Sequence, residues 1–327
     1  MRNVLVTGAS GFVGGHVVEA LRRRGLKVRC LTRQPGRLEF LRPLEIEPAA
    51  GDVTLPDTLE LALEGVDAVV HCAGLTRAVS RARFFEANEA GPRNLYAACR
   101  KRGRQILKIV HISSLAAIGP SPGEEPVTEE SHPSPVSDYG DSKLAGQRAA
   151  EACMADLPVS IVLPPAVYGP RDAAFLAYFK AVARGRVPLI GGADRRLSLV
   201  YVKDLAEAVA VILTDRESAG QAFLVDDGSV HTWTGVAAEI GRAMNRPFRP
   251  LSLPVSIVRG MGILGDLYAA ITGTAPLINS QKVRELLQDS WTCSSDRIRG
   301  RLGFRAQFSL ERGIAETLSW YRDHQWL

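Results

Sequence analysis

"VTGASGFVGGHVVEAL", residues 6–21, decides how the rest of the chain is read. Just before and into it, "NVLVT" (3–7) is a short unbroken apolar run, the pattern of a parallel strand buried on both faces. After the glycines, Val13, Val17, Ala20 and Leu21 recur at helical spacing until Gly25, a natural place for a helix to stop. Gly8, Gly11 and Gly14 therefore fall between a strand and the mouth of a helix. Glycines there permit a tight turn and a close backbone approach to a pyrophosphate resting on the helix N-terminus. The alternative is a merely structural strand-to-helix turn. The strand before and the helix after favour a dinucleotide site, with Ser10, Phe12 and Val13 as further candidate contacts.

Outward from this unit the alternation continues. "VRCLT" (28–32), "AVVHCAG" (68–74), "ILKIVHISS" (106–114), "VSIVLPP" (159–165) and "AFLVDDG" (222–228) read as strands. Helical patterns lie around 56–64, 82–102 and 139–156. Repeated strand–helix units predict an α/β fold, a Rossmann-type doubly wound parallel sheet covered on both faces. With 327 residues the chain exceeds one core's usual size, so a second unit is expected. The predicted division is a dinucleotide-binding domain of residues 1–165 and 200–228, with a smaller substrate-binding cap of residues 166–199 and 229–327.

Composition narrows the function classes. The net charge of +5 comes partly from "LRRRG" (21–25) and "CRKRGR" (99–104), which fall at expected helix ends. No aromatic residues interleave with them, so a nucleic-acid partner is not expected. Five dispersed cysteines without a C-x-x-C pair suit reduced thiols in the cytoplasm. The six histidines show no metal-ligand spacing, and no metal is expected. The chain opens directly on a strand, leaving no room for a signal peptide. "LPVSIVRGMGILGDLYAAITG" (253–273) contains Arg259, Asp266 and four glycines, so a buried or interfacial lid helix is expected there rather than a transmembrane one.

A second motif supplies the chemistry. In "DYGDSKLAG" (138–146), Tyr139 and Lys143 stand four apart and share a helix face. A cation beside a phenol favours the phenolate, so the expected pKa of Tyr139 is lowered. Together with the G-x-x-G-x-x-G spacing, this segment resembles the extended short-chain dehydrogenase/reductase superfamily, in its NAD-dependent epimerase/dehydratase-like branch. The resemblance runs along nearly the whole chain, through "GDVTLPDTL" (51–59), "VVHCAG" (69–74), "EANEAGPRNL" (86–95), "HISSLAAIG" (111–119), "LPPAVYGPRD" (163–172) and "LVYVKDLAEAV" (199–209). It implies Tyr139 as general acid/base, Lys143 as its tuning partner on the nicotinamide ribose, and Ser114 as the substrate-orienting serine, with Ser113 the second candidate. It also implies cofactor contacts from Asp52, Val53, Cys72, Ala73, Gly74, Asn88, Pro165 and Val167, and a homodimer formed through the helices around 82–102 and 139–156.

The cofactor reading turns on the end of the second strand. An NAD site places a carboxylate there for the ribose 2′-hydroxyl. Here the strand runs into "CLTRQPGR", with no carboxylate until Glu39. Arg33 and Arg37 occupy the region instead, and an arginine fork suits a 2′-phosphate. NADP(H) is expected, NAD remains possible, and the alternative reading makes both arginines solvated loop charges. For the substrate, the resembled family's sugar-nucleotide enzymes carry an Asn and an Arg at the positions matched here by Ala166 and Leu197, and the motif arginine is Leu163. Arg195 and Arg196 stand near enough to substitute, which keeps a nucleotide-sugar epimerase or dehydratase open. The apolar C-terminal half resembles dihydroflavonol reductase-like and 3β-hydroxysteroid dehydrogenase-like members, with Trp291, Trp320 and Trp326 as packing residues. The expected function is an NADP(H)-dependent oxidoreductase acting on a carbonyl or secondary alcohol of a largely apolar small molecule. A non-catalytic NADP sensor is the third reading, which an intact Ser–Tyr–Lys set disfavours.

Overall fold

Val4, Leu5 and Val6 are completely buried, as a strand at the centre of a two-faced sheet requires, and each such side chain contributes about 1.5–3 kcal/mol. They belong to β1 (Asn3–Thr7), followed by α1 (Phe12–Arg23), β2 (Lys27–Thr32) and β3 (Glu47–Ala50). Next come α2 (Asp57–Ala62), β4 (Ala68–His71), α3 (Arg81–Phe85), a π-helical turn (Glu86–Ala90) and α4 (Gly91–Arg102). Then follow β5 (Lys108–Ile112), α5 (Leu115–Ile118), α6 (Asp138–Glu151) and β6 (Val159–Leu163). The computed structural model describes the backbone of residues 1–327 and every side chain except that of Glu39, so the first carboxylate after β2 lies outside the described side chains.

The second half supplies β7 (Ala166–Tyr168), α7 (Ala173–Ala183), β8 (Arg186–Ile190), β9 (Arg196–Tyr201), α8 (Val202–Thr214) and β10 (Ala222–Leu224). It ends with β11 (Val230–Thr232), α9 (Trp233–Met244), β12 (Arg249–Leu253), α10 (Val255–Thr272), α11 (Ser280–Leu286), β13 (Ser290–Trp291), α12 (Asp296–Leu302) and α13 (Leu310–Asp323).

Seven parallel strands form the main sheet in the order β10-β6-β5-β4-β1-β2-β3. Chain order reverses between β1 and β4, the switch point outside which such sheets open a ligand crevice. α1 and α8 cover one face over a core that includes Val17, Leu21, Leu205 and Val209. The opposite face packs Leu95, Tyr96, Cys99 and Ala150, from α4 and α6, against Leu5, Val69 and Ile109. Two small sheets stand apart from it. One joins β11, β9, β13 and β7, and the other is the parallel ribbon β8–β12. Among the described residues all five cysteines are free.

The expected strands and helices form, with β3 as an addition; its sequence "EPAA" has an exposed Pro48 and no apolar run. Trp320 and Trp326 pack edge to face, and Trp291 lies half-buried between the two cores, as expected of packing residues. For the 253–273 segment, expected as a buried or interfacial helix, the buried placement does not occur. α10 is a helix, but only Val258 and Gly262 in it are buried. It is also the one described helix long and apolar enough to cross a membrane.

Candidate active site

Every candidate residue on the sheet begins one to three residues past a strand. Gly8 follows β1, Arg33 follows β2, Asp52 follows β3, Cys72–Gly74 follow β4, Ser113 and Ser114 follow β5, and Pro165 follows β6. They line one edge because the strands are parallel.

The glycine loop is built by close approach. Gly8 adopts φ +73, and a Cβ there would sit 2.7 Å from the Ala73 nitrogen. A Cβ on Gly14 would meet the Gly8 carbonyl oxygen at 2.2 Å, so α1 can begin this near the turn only without side chains. Gly11 is the N-cap and donates its N–H to Gly8 O at 2.9 Å, but no side chain caps the helix. The first-turn N–H groups of Phe12, Val13 and Gly14 are thus left for an anion beside exposed Ser10, and the cradle fits a dinucleotide pyrophosphate.

At the adenosine end, Arg33 lies exposed with a guanidinium nitrogen 3.9 Å from Asp52 Oδ2. Asp52 Oδ1 accepts from the N–H and hydroxyl of Thr54, both at 2.9 Å, which fixes the carboxylate. Arg37 is exposed in the turn that follows, and Val53 is buried where its carbonyl accepts from Asn94. Asn88 sits in the π-helical turn, a kink often found at functional sites. Its amide donates to Leu75 O and Ser142 Oγ, both at 2.9 Å, and its Oδ1 accepts from Leu75 N at 2.8 Å. Asn88 therefore braces the β4–α3 loop against α6. Val167 is half-buried in β7, packed on the core under α8.

α6 brings the chemistry to this edge. Ser137 caps it by accepting from Gly140 N, and a Cβ on Gly146 would collide with the Asn88 carbonyl, so the helix lies tightly on the π-helical turn. Lys143 is buried and donates from Nζ to Ile112 O at 2.7 Å. Burial lowers its pKa to about 8, partly offset by Cys72. Tyr139 is half-buried one turn earlier, beside Phe84 at a ring separation of 6.1 Å. Ser114 acts on the phenol by lowering its pKa, and its Oγ accepts from Ala116 N at 3.1 Å, whereas Ser113 Oγ donates to Gln147 Oε1 at 3.0 Å.

The phenol corrects the expectation drawn from spacing. Burial pushes its pKa up to about 12, the Ser114 hydrogen bond pulls it back in part, and Glu285 of α11 raises it further. Desolvation is the largest cause, and Lys143 is not among the groups that shift the phenol. The result is a phenol that stays protonated at neutral pH and is equipped to give a proton. Glu285 was not findable from sequence: it accepts from Ser137 Oγ at 2.6 Å across 148 residues. Beneath the site, His71 and His111 stack 5.4 Å apart on neighbouring strands, and burial keeps both neutral.

A Rossmann sheet with a glycine-lined anion cradle and a Ser–Tyr–Lys edge defines the architecture of an NAD(P)-dependent oxidoreductase. The chain belongs to the NAD dependent epimerase/dehydratase family, whose model matches residues 4–225. It is 34% identical to the ceramide reductase of Caulobacter vibrioides over 327 residues, covering 99% of this chain and 96% of the relative. It is 27% identical to a 3 beta-hydroxysteroid dehydrogenase/Delta 5-->4-isomerase of Mycobacterium tuberculosis, covering 97% and 90%. The fold is shared with the Thermus thermophilus UDP-glucose 4-epimerase complex with NAD at TM-score 0.79, 24% identity and coverage of 98% and 99%. Among the described residues no cluster fit for a metal ion occurs.

The buried ammonium has a stability consequence. Its pKa falls from 10.5 to about 8 on folding, so the folded state is penalised fully below pH 8 and progressively less as pH rises toward 10.5. Lys143→Met is expected to raise the unfolding free energy at neutral pH by on the order of 1–2 kcal/mol. That gain should shrink when urea unfolding is repeated at alkaline pH. A variant less stable than the parent at neutral pH would contradict the sign.

Proposed function

We propose that the protein is an NADP(H)-dependent reductase of an apolar ketone or aldehyde, with Tyr139 as the proton donor. The single observation carrying this reading is the protonated phenol of Tyr139, hydrogen-bonded by Ser114 and one helical turn from Lys143, at the strand edge that holds the glycine cradle. When bound, the nicotinamide supplies or takes up the hydride. Gly8, Gly11 and Gly14 with the α1 N-terminus would hold the pyrophosphate, and Lys143 the nicotinamide ribose. Ser114 holds the substrate oxygen against the phenol. Tyr139 gives that oxygen its proton, which removes the developing alkoxide charge. A phenol with a pKa of about 12 favours this direction at neutral pH, and alcohol oxidation gains as the pH rises.

Arg33 and Arg37 support NADP(H) over NAD, since both are exposed beyond β2 and neither replaces a carboxylate's acceptor role. Residues 1–165 and 200–228 would bind the dinucleotide, and residues 166–199 and 229–327 the substrate. An apolar substrate is supported by the similarity to a ceramide reductase and a 3 beta-hydroxysteroid dehydrogenase. It is also supported by what stands where a nucleotide sugar would need polar groups. Leu197 is buried in the smaller core, Arg195 donates to Ile190 O at 2.6 Å, and Arg196 reaches the Glu124 carbonyl. The free thiols suit a cytoplasmic enzyme. A homodimer through α3, α4 and α6 remains the proposed assembly.

Two measurements test this reading. NADPH oxidation with long-chain ketones should be measurable, and Tyr139→Phe should lower kcat by about 10²–10⁴-fold while NADPH still binds. Unchanged turnover in that variant would remove the mechanism. NADPH should bind more tightly than NADH, and Arg33→Ala should shrink the difference by about ten-fold. Equal or tighter binding of NADH by the parent protein would overturn the cofactor assignment.

A further inference from the structure

The apolar face of α10 has no partner in the chain. Ile257, Met261, Leu264, Tyr268 and Ile271 recur at i, i+4, i+7, i+11 and i+14, so they form one stripe down the helix. All five are exposed, Leu264 by 66% and Ile271 by 75%, and Ile263 and Leu267 widen the stripe. The opposite side is the packed one. A Cβ on Gly265 would collide with the Ile278 carbonyl, and one on Gly262 would press on Ser280 and Val283, so two glycines seat the helix on the start of α11. Asp266 accepts from Ser280 N beside that seam. Arg259 lies seven residues earlier, two turns along the same flank.

The ribbon that leads into this helix carries charge of one sign. Residues 184–192 and 246–279, which hold the β8–β12 ribbon and α10, contain five arginines and one carboxylate, four of the chain's five net positive charges. Arg184, Arg186, Arg246, Arg249 and Arg259 are all exposed, and none forms an ion pair with a described residue. Arg186 and Arg249 stand directly opposite each other in the ribbon register. Like charges so placed repel, a cost that an anionic surface offsets. Leu251 of the same ribbon is exposed as well.

We propose that α10 and the β8–β12 ribbon dock the enzyme on an anionic lipid bilayer, with α10 lying in the plane of the interface. A second copy of the chain fits less well, because pairing two such modules would bring ten unpaired arginines together. Spanning is disfavoured by Arg259 and Asp266 and by the glycine seam, which fixes the helix along the protein. An exposed apolar stripe with cationic neighbours is the arrangement of an interfacial helix. The position has a purpose that rests on the apolar-substrate reading. α11, on which α10 is seated, reaches the start of α6: Gln281 accepts from Asp138 N and Glu285 from Ser137 Oγ, flanking Tyr139. One helix therefore separates the docking face from the reacting phenol, which sets the site beside the bilayer.

Flotation of the purified protein with vesicles tests the docking without any turnover. The protein should float with phosphatidylcholine vesicles containing phosphatidylglycerol, and more weakly with phosphatidylcholine alone. Leu264→Asp combined with Ile271→Asp should weaken partition by at least about ten-fold. Arg186→Glu combined with Arg249→Glu should weaken it about as much on the anionic vesicles only. Both pairs are exposed, so circular dichroism and NADPH binding should match the parent. No flotation on either vesicle, or full flotation of the Leu264/Ile271 double variant, overturns the proposal. So does a double variant that floats normally but turns a dimer into a monomer by light scattering, which would make α10 a self-association face. NADPH oxidation of a water-soluble ketone, measured without vesicles, reports on the reductase reading separately.

Discussion

The 2.7 Å hydrogen bond from Lys143 Nζ to the Ile112 carbonyl fixes where α6 meets the carboxyl end of β5, at a net cost in stability while the ammonium stays charged. It is made by a buried ammonium, which no packing argument favours on its own. Two other close approaches depend on the same docking. Gly146 admits the Asn88 carbonyl against the helix, and Asn88 in turn holds the loop after β4 with two hydrogen bonds and α6 with a third. Move α6 outward and Tyr139 leaves Ser114, the Cys72–Gly74 segment loses its brace, and the crevice at the sheet's switch point opens to water.

Burial is the largest influence on both partners at this helix. It pulls the lysine down to about 8 and pushes the tyrosine up to about 12. The two shifts bring the groups toward each other's usual behaviour: an ammonium readier to release its proton beside a phenol slow to lose one. At neutral pH such a phenol is protonated, the form that the proposed reduction uses. Spacing alone points the other way for the phenol, because it registers the neighbouring charge and cannot register the solvent lost.

Much of the architecture is local and so was legible. Each central strand is a short apolar run, each helix carries its own period and stop, and the glycine turn needs only nine residues to declare itself. β3 escaped because an exposed edge strand has nothing apolar to bury. The partner groups around the phenol escaped for a different reason. Glu285 and Gln281 come from a helix some 140 residues downstream, and only the fold brings them to the mouth of α6. Ser113 and Ser114 were separable only once the first was seen turned to Gln147. α10 shows the converse: its composition left a buried or an interfacial helix open, and the glycines that seat it leave most of its apolar side facing outward.

The most direct measurement is a crystal structure of the protein with NADP(H) bound. The pyrophosphate should lie on the Gly8–Gly14 turn, the Lys143 ammonium on the nicotinamide ribose, and the Tyr139 hydroxyl should face the reactive side of the ring. A dinucleotide bound elsewhere, or a Tyr139 hydroxyl pointing away from the nicotinamide, would contradict that placement.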